Sequence, residues 1–274
     1  MIRKWEYAVL TFSLVLTACR STSPAVVVTP PSAYPDWQQR SSLQNADAAI
    51  YQHTSAEVFR LYEQCYELAR LRLDANLARA HTLPAAVIVD IDETVLDNSP
   101  YQVKNAALGR TYDPATWNEW ALMGSAKALP GALEFLRYAA EKKCEVFYVT
   151  NRAASEKNAT IKNLFELEFP NADDAHVLCM DGNESDKTKR RARVSEGHYV
   201  ALLVGDQLRD FDEGFKDRST DYGRNHAIVM RDTLRDWFIM LPNPMYGTWL
   251  DAVSGKDEQL KLDKKAAFFK TNAY

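Results

Sequence analysis

Between Ala85 and Thr94 the chain reads AAVIVDIDET, an uninterrupted apolar run that ends in two carboxylates, Asp90 and Asp92. A strand with one wet face alternates apolar and polar residues, whereas a continuous run marks a strand covered on both faces, as in a parallel sheet between helical layers. The carboxyl end of such a strand opens into a site. Further strands are expected at 144–150 (CEVFYVT), 176–180 (HVLCM), 199–206 (YVALLVGD) and 226–230 (HAIVM). Helical stretches at 153–167 and 187–196 and a short crossover at 207–216 fall between them. Repeated strand, turn and helix units predict a three-layer α/β fold with a mostly parallel central sheet, and argue against a sandwich or a bundle.

Two further segments frame this pattern. Residues 43–82 read as an N-terminal helical region, with Val58, Leu61, Tyr62, Cys65, Leu68, Ala69 and Leu73 at three- and four-residue spacing. His53 and His81 border it without a partner at metal-ligand spacing, so both read as surface or capping residues. Residues 98–129 interrupt the strand–helix rhythm and read as a small cap. Tyr101, Tyr112, Trp117 and Trp120 lie within it, able to stack a flat substrate group or to form the cap's own small core. A terminal helix is expected after Gly255, its lysine-rich face in solvent.

The first 18 residues carry Arg3 and Lys4 ahead of an apolar stretch, YAVLTFSLVLTA, too short to span a bilayer in the ordinary way but suited to an export signal. Leu16, Thr17, Ala18 and Cys19 resemble the lipobox of bacterial lipoproteins, which implies acylation at Cys19. The expected organisation is a signal peptide at 1–18, a lipidated Ser-, Thr- and Pro-rich tether at 19–42 and one domain at 43–274. The resemblance implies a lipid-anchored protein of the bacterial cell envelope, at the outer membrane and facing the periplasm. Of the 274 residues 33 are basic and 37 acidic, a net charge of −4 that gives no global reason to expect a nucleic-acid polymer as partner. Cys65, Cys144 and Cys179 lack CxxC spacing, and three cysteines cannot all pair within one chain.

The carboxylates are the chemical signal. Attack on a dianionic phosphate ester brings negative charges together, and the departing alkoxide needs a proton. Asp90 at the strand end is suited to attack phosphorus, and Asp92, two residues on, to protonate the leaving oxygen and later deprotonate water. A Mg²⁺ ion, one per site, would reduce the repulsion and suits oxygen ligands. Asp206, after the strand at 199–206, is the best distant ligand beside Asp90; Asp210 binds directly or through water. Thr150 and Asn151 are positioned to hold phosphoryl oxygens, and Lys187 to neutralise transferred charge, with Lys189 its runner-up.

In that order DIDET, Thr150 in VFYVTNR, Lys187 in DK and GDxxxDF at 205–211 resemble the haloacid-dehalogenase-like phosphatase superfamily. The resemblance implies its Rossmann-like fold, the roles just given to Asp90, Asp92, Asp206, Thr150 and Lys187, and the Asp92 main-chain carbonyl as a further metal ligand. Over roughly 43–255, with TWNEW, LPGALEFL and MLPNPMYGTW, the chain is similar to bacterial class C acid phosphatases, the lipoprotein 5'-nucleotidase family. That likeness implies a mostly helical cap, acid-optimal phosphomonoesterase activity and four aspartates, matched here by Asp90, Asp92, Asp206 and Asp210. Gln207, Leu208 and Arg209 depart from the more acidic loop of many relatives. The expected substrates are phosphomonoesters, nucleoside 5'-monophosphates or nicotinamide ribonucleotide among them, with Trp120 and Tyr246 the candidate stacking residues. The fold permits a homodimer. Two alternatives stay open: a phosphotransferase on the same scaffold, and a ligand-binding surface lipoprotein without catalysis.

Overall fold

The structure, a computed structural model, describes residues 36–273. Cys19, the signal segment and the tether as far as residue 35 lie outside the described residues. The strands are β1 (Ala85–Val89), β2 (Leu96–Asp97), β3 (Lys127–Ala128), β4 (Glu145–Ala153), β5 (Val177–Met180), β6 (Tyr199–Gly205) and β7 (Phe238–Met240). Five of them form one sheet in the order β5-β4-β1-β6-β7, every neighbouring pair parallel. β1 is the central strand, so its carboxyl end lies between those of β4 and β6.

The helices are α1 (Trp37–Gln44), α2 (Ala46–Thr54), α3 (Ala56–Leu77), α4 (Ser99–Ala107), α5 (Pro114–Met123), α6 (Ala132–Glu141), α7 (Lys157–Glu166), α8 (Thr188–Gly197), α9 (Arg224–Val229), α10 (Arg231–Trp237), α11 (Thr248–Ser254) and α12 (Lys261–Asn272). Alternate residues of the central strands serve opposite layers, as a pleated strand requires. Val87, Val89, Val146 and Tyr148 join the large core with α3 and α6, while Ala86, Ile88, Phe147 and Val149 meet Val194 of α8 on the other face. The three-layer α/β expectation holds.

Three local expectations are corrected, and the helical region at 43–82 holds but is divided. The N-terminal region is three helices, because Ser55 is extended and its hydroxyl caps α3 by accepting from Glu57 N and Val58 N at 3.1 and 3.2 Å. Its buried stripe is Val58, Tyr62, Tyr66, Ala69 and Leu73, whereas Leu61 and Leu68 face solvent. Residues 37–42, expected in the tether, are helical, and Ser41 and Ser42 are buried. Finally, HAIVM at 226–230 is not a strand: it forms α9 with Val229 82% exposed, and the last parallel strand is the FIM of β7. A five-residue apolar run cannot be told from a helical one by periodicity, and here the chain leaving β6 uses it in the crossover.

Residues 98–129, expected as a cap, hold α4, α5 and β3, and β3 pairs antiparallel with β2, Leu96 opposite Ala128. His53 and His81 are exposed, as expected. Cys65, Cys144 and Cys179 are free thiols. No helix among the described residues is long and apolar enough to cross a membrane.

Candidate active site

The turn after β1 is held from behind. Glu93 takes a left-handed conformation, φ 55°, which turns the chain out of the strand just past Asp90 and Asp92, both of which line one cavity. Two buried tyrosines of α3 fasten that bend: Tyr62 Oη donates to the Glu93 carbonyl at 2.8 Å and Tyr66 Oη to the Thr94 carbonyl at 2.6 Å. The N-terminal helices therefore pack the core and set the position of the carboxylates.

Lys187 is the central cation of the site. It is 4% exposed, and its ammonium donates to Asp90 Oδ1 and, at 2.7 Å, to Asp210 Oδ1. Burial alone would lower this ammonium, but Asp210 and Asp90 more than offset it and hold it above its ordinary range. Lys189 is exposed and takes no part. The neighbouring cations do not form a solvated helix start. Arg191 donates to the Asp210 carbonyl at 3.0 Å, and Arg190 donates to the Thr150 carbonyl and, at 2.6 Å, to Asn151 Oδ1.

Asp90, Asp206 and Asp210, all buried, offer carboxylate oxygens that lie within 4.8 Å of one another. Burial, opposed by Lys187 and reinforced by Asp210 and Asp92, pushes the Asp90 carboxyl up to about 7. Burial, then Asp210 and Asp90, pushes Asp206 well above the carboxylate range. Three crowded carboxylates with one ammonium are short of positive charge, and their hard oxygen donors fit a divalent cation.

Gly205 explains the GDxxxD spacing. A Cβ built there would stand 2.5 Å from Asp210 Oδ2, so only glycine lets Asp210 fold back beneath the strand end. Gln207, the departure in this loop, is a clamp. Its Nε2 donates to Asp206 Oδ2 at 3.2 Å and to the Tyr246 carbonyl at 3.4 Å, and its Oε1 accepts from Thr248 N at 2.9 Å. Arg209 is paired with Glu213, Nη2 to Oε1 at 2.6 Å.

Asp92 stands in a different setting. Its Oδ1 accepts from Arg152 Nη2 at 2.8 Å and Nε at 3.0 Å, and from Asn98 Nδ2 at 2.9 Å. Its Oδ2 accepts no hydrogen bond among the described residues. The Arg152 side chain is 1% exposed and that of Asp92 18%, so the guanidinium is a fixed support while the carboxylate meets the cavity.

That cavity, about 500 Å³, is lined by Asp90, Asp92, Asn151, Lys187, Asp206 and Asp210 at the strand ends, and elsewhere by Tyr112, Trp117 and Tyr246. Two expected residues lie off it. Thr150 is fully buried, and its hydroxyl accepts from Arg152 N at 3.1 Å. Trp120 packs on the core and its indole N–H donates to Asn98 Oδ1 at 2.8 Å. Trp120 thus orients the amide that holds Asp92, and the cap tryptophan at the cavity is Trp117. Sequence reasoning missed Arg152, Asn98 and Asn243, whose amide donates to Asp206 Oδ2 at 2.7 Å. Arg152 and Asn243 stand inside the motifs VTNR and LPNP, which was the available signal.

Among known proteins the chain is 34% identical to the class C acid phosphatase from Bacillus anthracis. The structure of that enzyme with tungstate bound matches over 86% of this chain and 98% of its own, with a TM-score of 0.79. A second structure of the same enzyme gives a TM-score of 0.78. Acid phosphatase 1 of Solanum lycopersicum is 27% identical over 167 residues, and a stem 31 kDa glycoprotein of Glycine max 23% over 164. The chain spans just over half the length of these two curated relatives, 57% and 58%. The family model described as HAD superfamily, subfamily IIIB (Acid phosphatase) matches residues 13–249, most of the sequence. With that match and the likeness to the Bacillus anthracis enzyme over nearly its whole length, the chain belongs to the class C acid phosphatase family of the HAD superfamily.

Proposed function

We propose that the chain is a magnesium-dependent phosphomonoesterase that works through a phosphorylated Asp90. The observation that carries this reading is the division of labour between neighbouring carboxylates. Asp90 sits in the buried cation-binding cluster with Lys187, while Asp92 is held by one oxygen and has the other free toward the cavity.

Asp90 attacks phosphorus and forms a carboxyl–phosphate bond, as the bond to the alcohol breaks and its electron pair leaves on the alkoxide. Asp92 delivers a proton to that oxygen from Oδ2, then takes one from the water that attacks phosphorus and frees Asp90. Magnesium at Asp90, Asp206 and Asp210, with the Asp92 main-chain carbonyl as the family implies, would lower the repulsion between the ester and the carboxylates. Lys187 neutralises charge carried onto Asp90. Arg190 fixes Asn151 by its oxygen, leaving the amide hydrogens for a phosphoryl oxygen, while Thr150, off the cavity, accepts from the Arg152 backbone N–H. Tungstate, bound by the Bacillus anthracis relative, is a tetrahedral oxyanion like phosphate, which supports this reading.

Nucleoside 5'-monophosphates or nicotinamide ribonucleotide are the proposed substrates, with Tyr246, Tyr112 and Trp117 offering ring faces for a base. Anchoring through acylated Cys19 at the outer membrane, facing the periplasm, is likewise proposed, on the lipobox. Wild type and Asp90→Asn are to be compared for phosphate release from nucleotides and simple esters, with magnesium or chelator. Metal-dependent release by wild type and a loss of at least about 10³-fold in the variant is expected; equal release from both removes Asp90 as nucleophile. The mass of the native N-terminus tests the anchor, and an unmodified Cys19 rejects it.

A further inference from the structure

The same cavity has a second charged wall. α12 packs on α11 and α1, and from this C-terminal part of the chain Lys256, Lys261 and Lys265 line the cavity that holds the carboxylates. Lys261 and Lys265 are one helical turn apart and so present their ammonium groups to the same side. Lys261 is paired with Glu258, Nζ to Oε1 at 2.5 Å. Lys265 is half-buried and, like Lys256, makes no hydrogen bond or ion pair among the described residues. Burial, then Lys261, pulls the Lys265 ammonium below its ordinary range, with Glu258 opposing. Asp251, on the same wall, is pushed up by burial and held back by Lys261, Lys256 and Arg209. Three lysines thus share this wall with two carboxylates, Asp251 and Glu258, and Lys265 is half-buried there without an ion pair among the described residues. Nothing in the packing of α12 requires it, since the buried anchor of that helix is Leu262.

A buried or half-buried cation is kept charged by an opposite charge or left at a cost in hydration. Among the described residues half-buried Lys265 makes no ion pair, nor does exposed Lys256, and both line the cavity shared with the phosphoryl site. We infer that Lys256, Lys261 and Lys265 form a second anion subsite, and that the enzyme favours phosphomonoesters carrying a further phosphate over those carrying one. The inference rests on the phosphatase reading for which phosphate is cleaved. The second phosphate is held at the lysines and is not cleaved there, because no carboxylate nucleophile or general acid of the kind at Asp90 and Asp92 faces it.

The test compares adenosine 5'-monophosphate with adenosine 3',5'-bisphosphate, a pair that differs by one phosphate. Wild type is expected to show a KM for the bisphosphate lower by about tenfold, the scale of one or two charge-assisted contacts. Lys261→Ala/Lys265→Ala should erase that difference in KM between the two nucleotides. Lys270→Ala removes the same charge from the same helix outside the cavity lining and should leave the preference intact. Calorimetric binding of both nucleotides to Asp90→Asn, with and without the double substitution, reads the subsite without turnover. Preference lost only in the double variant supports the subsite. Equal affinity for the two nucleotides in wild type, or a preference reduced as much by Lys270→Ala, overturns it. Lysine-dependent binding without any hydrolysis by wild type would sink the phosphatase reading and keep the subsite; hydrolysis without lysine dependence does the reverse.

Discussion

At the strand ends each of the four aspartates has at least one fixed donor: Lys187 for Asp90 and Asp210, Arg152 for Asp92, Asn243 for Asp206. On the C-terminal wall of the same cavity Lys256 and Lys265 have no fixed acceptor among the described residues. The difference arises from what carries each wall. Parallel strand ends are rigid, and the ends of all five strands of the sheet converge there, so donors from distant parts of the chain reach each carboxylate. Surface helices carry long flexible side chains that gain little from being fixed to one another. An overdetermined wall suits chemistry, which needs atoms held in place; a wall with cations left without an ion pair suits recognition of a ligand that supplies the missing partner.

The largest way to disturb this contrast is to remove the metal, which should abolish activity and leave the strand-end wall short of positive charge. Metal-free protein holds Asp90 near 7 against an ordinary 3.8. The folded chain then keeps a proton that the unfolded chain releases, so the contribution of Asp90 to metal-free stability falls as pH rises from 3.8 to 7 and is level above. A bound cation keeps the carboxylates ionised and competes with protons, so the rise in Tm on adding magnesium should be larger at about pH 7.5 than at about pH 5. A pH-independent rise would detach Asp90 from the cation site.

Arg152→Ala comes next. With the guanidinium gone, Asp92 loses two of its three donors, and kcat should fall about 10²-fold with little change in KM. Breaking this buried pair should also lower stability by about 3 kcal/mol. Because Arg152 acts through Asp92, the alkaline limb of the pH–rate profile should move and Arg152→Lys should recover part of the loss; an unmoved profile makes the arginine merely structural.

The cap aromatics give the smallest effects and separate two residues that look alike in sequence. Trp117→Ala should raise KM for nucleoside monophosphates about fivefold and leave glycerol phosphate unchanged. Trp120→Phe should instead lower kcat about fivefold on both, by removing the hydrogen bond that orients Asn98. A substrate-dependent change from Trp120 would reverse the assignment.

Much of this site is legible along the chain because its parts stand at strand ends. AAVIV announces a doubly covered strand, and Asp90, Asp92, Asp206 and Lys187 all belong to the polar segments just beyond apolar strands. The strand expected at HAIVM fails for the complementary reason: five apolar residues carry no period, and only their exposure in the folded chain shows that they cover nothing. Residue type and motif put Trp120 and Thr150 at the site, yet both lie off the cavity, because the side of a turn or helix on which a residue falls is a property of its packing. Arg152 stands beside Asn151 in the same motif, yet its role depends on Asp92, sixty positions away.

Residue type and spacing along the chain determine the layered α/β architecture, the acidic strand ends and the glycine that Asp210 needs, since each depends on local burial, backbone freedom or short spacing. Tertiary structure alone decides which oxygen of Asp92 is held and which is free, which tryptophan meets the cavity, and that the lysines of α12 share a space with the carboxylates. Those are distances between residues far apart in sequence, set by how helices pack on the sheet, and no local pattern records them.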